Sequence, residues 1–559
     1  MKAMFYSLHA AIWLHALPES RLASQLSNAG HELVYVTCDK SFTHYCTGMS
    51  AFNLALNEDF KKKSAICELC INNANKITKS FDCKHLKLHD YIDQKTNALI
   101  DNLLKSVTED NFLEFHYEDI PVGRLATYEP LLKYKKMSLE FRDEQWQDLQ
   151  IHLRNALVSL IGFIQIFKQE CPEKIFFYSP QYGVNGVCAE YAVKQGRQAY
   201  FIEGSSSNAE RYSALRVWEW SKFKLVNPAL QHWQAVKNLV TLEDIDRVSA
   251  HIHELFKGKS FAVFSAPKTG NFSIREKFNI PQNAKILLAS LSSFDEAYAA
   301  FVIKGFPERK VKSPVFSDQF EWIKCTINFM KSRPDDYLVI RVHPRDYPNK
   351  RDSNQSEQAL IWEKILQDLP ENVKLNSPDQ NISLYDFLDD VHALVTGWSA
   401  TGVEALLHGI PVITYDKYLP SYPADIHLTG ESEHEYYDNL IKVLSLATST
   451  DNTHVVNAYR WLAVSFSLGT VRVNQPLEIG LSWPDKPAYR ILKRVANKFS
   501  VNLRKSYDVW NVQSNDTDRL RFLSLVLNNQ SSLFEGVISD VVDAVSDYEI
   551  EATVKQHSI

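Results

Sequence analysis

The chain has 559 residues, of which 45% are hydrophobic, 23% charged and 12% aromatic, with a formal charge of −6 at pH 7. That length exceeds one ordinary core and predicts two to four domains, two of them large, while the mildly acidic balance argues against a dedicated nucleic-acid binder. Eight cysteines in a chain of this size, with no secretion signal to read, are reduced thiols or metal ligands rather than a disulfide framework.

The first segment, "MKAMFYSLHAAIWLHALPESRLASQL", has one early lysine and a short apolar run. His9, His15 and the lack of a small-residue cleavage site spoil a signal peptide, so it reads as a first strand and helix. No window approaches 18 uninterrupted apolar residues; the nearest, "ALVSLIGFIQIF" at 156–167, is too short to span a bilayer, and the cytosol is the expected location. Five cysteines crowd into residues 38–83. Cys38, Cys46 and the C-x-x-C pair Cys67 and Cys70 form a set suited to a structural tetrahedral zinc that would pin a loop after a strand. The first pair is spaced too widely for a standard ribbon, and free thiols are the competing reading.

Strand-like runs then alternate with helix-length amphipathic segments, which predicts α/β layers on mostly parallel sheets. A first series holds "KAMFYSL", "HELVYVTCD", "KIFFYSP" at 174–180 and "QAYFIEG" at 198–204, with the helical "DEQWQDLQIHLRNALVSLIGFIQIFKQE" before the third. A Gly-, Pro-, Lys- and Ser-containing connection at 257–283 reads as a linker. A second series follows: "AKILLASLSS" from Ala284, "DYLVIRVHP", "NVKLNS", "VHALVTG" and "IPVITYD". The expected division is a first domain at 1–265, a second at 266–470 and a helical tail at 471–559. Within the tail, "KPAYRILKRVANKFSVNLRK" at 486–505 carries seven Lys/Arg and no acid, which suits reversible docking to an anionic membrane face and equally a solvated helix face.

In open α/β sheets ligands sit beyond the carboxyl ends of the strands, so those ends are where chemistry is expected. "LVTGWSATGVEALLHGIPVITYD", Leu394 to Asp416, turns from strand to helix through Gly397, with Ser399 and Thr401 at the helix start and Gly409 at its end. Free N–H groups and hydroxyls there favour an anion, which makes a phosphate seat. Glu404 either closes a capping box or meets the hydroxyls of a ligand sugar. "YLVIRVHPRDYPNK" gathers Arg341, His343 and Arg345 at another strand end, on one face if the strand continues that far. A salt-bridge cluster with Asp346 is the plainer reading. After the first strand of the second series, Ser292 and Ser293 can touch phosphate, while Asp295 or Glu296 caps the next helix.

"RVHPRD", followed some 50 residues later by "GWSATGVEALLHGIPVITYD", resembles the donor half of GT-B glycosyltransferases, most closely the bacterial capsule and lipopolysaccharide group that includes Kdo transferases. Upstream, "GVNGVCAEYAVKQGRQAYFIEGSSS" looks like the matching first-domain stretch; Trp398 in the turn departs from the Kdo-transferase pattern. The resemblance implies two Rossmann-like domains facing a cleft. It implies a donor nucleotide sugar (CMP-, UDP- or GDP-linked) held by His343, Arg345, Ser399, Thr401 and Glu404, and no metal or cofactor in catalysis. The implied acceptor is a glycan or lipid-linked glycan of a bacterial surface polysaccharide, capsule or O-antigen, with peripheral contact to the inner membrane through 486–505. His343 and the arginines would aid the departing phosphate. Glu203, at a strand end before "GSSSN", is the expected base, with His9 and His15 as alternatives. Two other readings stand beside this one: a teichoic-acid-like polyol-phosphate transferase, which a second histidine near the acceptor would favour, and a non-catalytic sugar-nucleotide-binding protein. A sugar-nucleotide epimerase is a remoter option.

Overall fold

A computed structural model of the chain describes residues 1–42, 44–207, 210–256, 273–348, 354–445, 451–473 and 516–538, together with Lys268, Asp547, Glu549 and Ile550. Its first sheet is built from β1 (Lys2–Tyr6), β2 (Glu32–Thr37), β3 (Lys84–Lys87), β4 (Lys174–Tyr178), β5 (Gln198–Gly204) and β6 (Ala214–Glu219). The second contains β7 (Ile286–Ser290), β8 (Tyr337–Arg341), β9 (Val373–Asn376), β10 (Ala393–Thr396), β11 (Val412–Thr414) and β12 (Leu428–Thr429), after which β13 (Val471–Arg472) returns to the first sheet.

The strand orders are β13-β6-β5-β4-β1-β2-β3 and β12-β11-β10-β7-β8-β9. Every pair in the second sheet is parallel, and only β5–β6 and β6–β13 in the first run antiparallel. Helices cover both faces, so the central strands are near-continuous apolar runs such as "KIFFY" and "ILLAS". Phe176 of β4 stacks between Phe5 (centroids 4.5 Å apart) and Tyr200 (5.1 Å), an aromatic ladder across three parallel strands. The expected pair of Rossmann-like α/β sheets is the observed one.

The one described helix long and apolar enough to cross a membrane is Glu144–Glu170. It lies across the first sheet with Leu149, Leu153, Leu160, Phe163 and Ile166 in that domain's core, which accounts for its apolar composition. The helices Pro228–Val236 and Leu242–Phe256 share the core of the second sheet through Trp233, Val236, Ile245 and Ile252, upstream of the 265/266 boundary expected from composition. In the opposite direction, Phe522, Leu525 and Val526 of the helix Asp516–Leu527 pack in the core of the first sheet. The chain therefore crosses back after the second domain, and the expected tail is partly a piece of the first. The basic run at 486–505 lies outside the described residues.

The domains are stitched together by a short first-domain segment after the helix Tyr128–Lys133. Glu357 accepts from Lys136 Nζ at 2.6 Å, Met137 N at 2.7 Å and Ser138 Oγ at 3.2 Å. Asn354 donates to the Lys133 carbonyl at 2.8 Å, and Arg345 donates to the Leu132 carbonyl at 3.0 Å.

Candidate functional site

A doubly wound sheet opens a crevice where strand order reverses, because the loops of two neighbouring strands leave in opposite directions. In the second sheet that point lies between β7 and β10. Ser290, the last residue of β7, meets Thr396 and Thr401 there: Thr396 Oγ1 donates to the Ser290 carbonyl at 2.9 Å, and Thr401 Oγ1 bonds Ser290 Oγ at 2.9 Å. Ser399 Oγ sits 2.9 Å from Thr401 Oγ1 and accepts from Thr401 N at 3.3 Å. The two predicted hydroxyls thus form one cluster with Ser290, which sequence reading missed because it ends a strand 111 positions away. The helix that follows is seven residues, Thr401–Leu407, and its Ala400 cap makes no side-chain bond, so the seat is a hydroxyl cluster more than a helix terminus. Gly409 takes φ +81° at the helix end as expected. Gly397 serves close packing instead of a left-handed turn: a Cβ there would lie 3.2 Å from the Tyr415 ring.

Beside this cluster β8 ends at Arg341, and Pro344–Asp346 forms a 3-10 turn, so the one-face alternation expected for Arg341, His343 and Arg345 stops at the first of them. His343 is extended (φ −67°, ψ 129°), as the residue before Pro344 should be. Its Nδ1 accepts from Arg345 N at 3.2 Å, which places the ring proton on Nε2. Enclosure, then the charges of Arg345, Arg341 and Lys135, push the imidazole down to about 3, so it is a neutral donor at physiological pH. Arg341 is buried, bonds Asn376 Oδ1 at 2.5 Å and lies over the Phe387 ring at 5.3 Å; burial lowers it to about 10. Glu404 accepts from Tyr385 OH at 3.3 Å, and burial raises its carboxyl to about 7. Its capping-box role is not realised, because that carboxylate turns to Tyr385.

Two predicted phosphate ligands, Arg345 and Ser293, are committed elsewhere. The Arg345 guanidinium forks onto Asp295 at 2.6 and 3.0 Å besides its bond to Leu132, so it braces the domains and is not paired with Asp346. Ser293 Oγ donates to Asp295 and, at 3.2 Å, to Asp346. Ser292 is buried, with its N–H on Gln319 Oε1 at 2.8 Å and its carbonyl accepting from Gln319 and Gln358, while its hydroxyl is buried without a hydrogen-bond partner. Asp295 serves Arg345 instead of capping its helix.

The matching reversal in the first sheet lies between β1 and β4, and a hollow of about 320 Å³, counting its open mouth, occupies it. Ser7, His9, His15 and Glu19 line one side and Tyr178, Tyr182 and Asn185 the other. His15 stacks on Tyr178 with centroids 4.6 Å apart. Burial lowers His9 to about 4 and His15 to about 3, the latter helped by Arg211 and His9. Glu19 is only 1% exposed, accepts from Ser7 Oγ at 2.7 Å, and is raised by burial to about 8. Sequence reading passed over Glu19 because it sits on a helix with ordinary amphipathic spacing. Glu203 stands nearby but is ion-paired with Arg216, its cross-strand neighbour on β6, so the expected base is held as a carboxylate in a salt bridge. Burial, then the nearby Tyr182, Glu203 and Glu296, raise the Tyr128 hydroxyl well above its ordinary value, so charged groups of both domains bear on it.

The predicted zinc set does converge on one cavity, of about 340 Å³, lined by Cys38, Cys46, Cys67 and Cys70 with Leu8, Phe42 and Ile66. Burial pushes the Cys70 thiol up to about 11, Cys46 up to about 12 and Cys38 well above its ordinary value, which disfavours the thiolates a metal needs. Among the described residues no three His, Cys, Asp or Glu side chains are placed to hold one ion. The set is thus an apolar wall of free thiols in place of the expected zinc cage.

No family model matches the chain, and no curated protein matches it. Solved structures do. A putative UDP-N-acetylglucosamine 2-epimerase from Listeria monocytogenes aligns over 92% of this chain and 99% of its own, at 12% identity and a TM-score of 0.27. KpsC, beta Kdo 2,7 transferase, from Thermosulfurimonas dismutans aligns over 60% of this chain and 89% of its own (13%, 0.31), and the spinosyn rhamnosyltransferase SpnG over 83% and 96% (11%, 0.25). At such identities and scores these similarities concern the fold, and nothing about ligands or reactions passes through them.

Proposed function

We propose that the chain is a metal-independent glycosyltransferase that moves a sugar from a nucleotide donor to a glycan or lipid-linked glycan of a bacterial surface polysaccharide, working at the cytoplasmic face of the inner membrane. The observation that carries this reading is the pairing of two unlike crevices. One, in the second domain, offers Arg341, His343 and the Ser290–Ser399–Thr401 hydroxyls to an anion; the other, in the first, offers neutral hydrogen-bonding groups.

In this reading the donor diphosphate lies against Arg341 and the His343 Nε2–H, which stabilise charge on the departing phosphate as the glycosidic bond breaks. The acceptor hydroxyl enters the first-domain hollow and gives its proton to a neutral imidazole. His9 is assigned that role in place of Glu203, because its Nε2 has no hydrogen-bond partner among the described residues while Glu203 is ion-paired with Arg216. The CMP, UDP or GDP identity of the donor is left to experiment.

A thermal-shift series with CMP, CDP, UDP and GDP on the wild type and His343→Ala tests the reading. Ligand at a hundredfold excess over Kd stabilises the native state by about 2.7 kcal/mol. Stabilisation by one base, lost in the variant, is expected; no response to any nucleotide would refute the assignment. The paired histidines His9 and His15 favour a second reading, the polyol-phosphate transferase, and product analysis separates the two: that reaction leaves phosphorus in the product, sugar transfer does not.

A further inference from the structure

A short element links the two crevices. The helix Tyr128–Lys133 rises roughly 9 Å over its six residues, with Pro130 fixing the backbone of its first turn and Leu131 fully buried at its middle. Its carboxyl end is held from the second domain: Arg345 Nη2 donates to the Leu132 carbonyl at 3.0 Å, and Asn354 Nδ2 to the Lys133 carbonyl at 2.8 Å. Arg345 is itself tied to the donor seat, because its N–H donates to His343 Nδ1; the imidazole that offers Nε2–H to an anion also holds this arginine. The amino end of the helix reaches the first-domain hollow through two side chains. Glu129 Oε2 accepts from Gly183 N at 3.0 Å, at the start of the helix Gly183–Lys194, and the Tyr128 ring lies against Tyr182 with centroids 6.3 Å apart. Tyr182 and Asn185 form one wall of the hollow, and the Tyr182 ring meets His9 edge-on at 6.4 Å. The joint has little slack: a Cβ on Gly183 would stand 3.1 Å from the Ala126 Cα and the Leu125 carbonyl, in the segment that leads into the linking helix.

We infer that this helix is a lever between the sites: an anion seated on His343 fixes Arg345 and, through it, the helix, so that Glu129 and Tyr128 order the Tyr182–Asn185 wall before an acceptor arrives. The inference rests on the glycosyltransferase reading and adds to it a coupling between its two substrates. A wall that is already ordered spares the second ligand part of the entropy it would otherwise lose, so the coupling is favourable. By linkage it is also reciprocal, and an acceptor tightens the nucleotide by the same factor. Glu129 is a positioning residue in this scheme, acting on the wall through the Gly183 N–H.

The test is hydrogen exchange read by mass spectrometry on full-length wild type, Glu129→Gln and Glu129→Ala, with and without whichever of CMP, CDP, UDP and GDP gives a thermal shift. In the wild type the nucleotide should slow exchange across 183–188 by about fivefold, while β2, on the far side of β1 from that wall, changes by less than about twofold. Glutamine keeps an oxygen for the Gly183 N–H and should keep the response. Alanine should lose it, with the nucleotide thermal shift unchanged in both variants. Because alanine raises exchange at 183–188 in any case, the criterion is the ratio with and without nucleotide, which a merely structural role for Glu129 would leave at its wild-type value. A thermal shift with no change at 183–188, an equal change in β2, or a ratio retained in Glu129→Ala would overturn the inference and leave the parent reading standing. A protein that gives no thermal shift with any nucleotide loses the parent reading and this one with it. If Glu129→Ala does not fold, Arg345→Met, which cuts the other end of the lever at the Leu132 carbonyl, is judged by the same ratio.

Discussion

Glu19→Gln separates the energetics of the first-domain hollow from its chemistry. Glu19 is 1% exposed, and burial raises its carboxyl from the ordinary 4.5 to about 8. Below pH 4.5 both native and unfolded states hold the proton. Between 4.5 and 8 the unfolded chain releases it and the native state keeps it, so the unfolded state binds fewer protons and stability falls as pH rises. Above 8 both forms are ionised and the loss is complete. Each pH unit of that window is worth roughly 1.4 kcal/mol, so Glu19 should withdraw on the order of 5 kcal/mol at most between pH 4.5 and 9. Glutamine has no proton to lose and keeps the acceptor for Ser7. The assay is urea unfolding of wild type and variant at pH 5, 7 and 9, taking the difference at each pH so that unaltered groups cancel. His9 and His15 stay neutral in the native state through the window, and their titration in the unfolded chain is common to both proteins and cancels in the difference. The two proteins should match within about 1 kcal/mol at pH 5, and the variant should be more stable by several kcal/mol at pH 9. Parallel curves, or a variant that loses ground at high pH, would show that Glu19 is ionised in the native state and refute the reasoning.

Three further substitutions probe the frame around the crevices. Glu357→Ala strips partners from Lys136, whose side chain is 7% exposed, and from the Met137 N–H, and should cost about 2–4 kcal/mol in urea unfolding; a loss under 0.5 kcal/mol would mean the clasp does not hold the domains. Gly402→Ala, beside Thr401, sets a Cβ 2.3 Å from the buried Tyr422 hydroxyl and should lower stability by about 1–3 kcal/mol, while an unchanged melting temperature would refute that packing. Cys171→Gly relieves a left-handed residue (φ 47°) that ends the helix Glu144–Glu170 and should gain about 0.5–1 kcal/mol by the same measurement; a loss would show that the backbone there is not left-handed.

Parallel strands buried on both faces are the most legible elements in this sequence, and the central ones, "KIFFY", "ILLAS" and "ALVT", fall where apolar runs predict. That Ser399, Thr401 and His343 lie just past the end of such a strand, and that Arg341 ends one, was legible as well. What could not be read depends on pairings between distant segments. Arg345 looks like a phosphate ligand until its neighbours Asp295 and Leu132 are known, and Glu203 looks like a free base until β6 brings Arg216 opposite. The domain boundary was obscured for the same reason. The helices Pro228–Val236 and Leu242–Phe256 have the amphipathic pattern of any surface helix, and only the partner sheet decides which core they join. The cysteines show the converse failure: their spacing foretold convergence on one cavity, but local burial sets their protonation, and spacing carries no information on that.

Under the glycosyl transfer we propose, the two crevices would divide the electrostatic labour in a way that follows from the charge on each substrate. A diphosphate brings fixed negative charge, so its seat needs cations that do not titrate. Arg341, lowered only to about 10, stays charged throughout the physiological range, and His343 adds a neutral donor without adding a group that switches near pH 7. An acceptor hydroxyl brings a proton instead, so its seat needs a neutral base shielded from that positive field, since a nearby cation would lower its basicity further. Placing the base on the other domain supplies the shielding. The cost is that the base works only when the domains are registered, and Arg345 ties these requirements together: it lies two residues beyond His343 in the donor seat and holds the Leu132 carbonyl of the helix that begins at Tyr128. A substitution there should therefore disturb the distance between base and donor before it disturbs the affinity for either substrate, lowering kcat while leaving the nucleotide thermal shift unchanged, whereas loss of a direct phosphate ligand would reduce both.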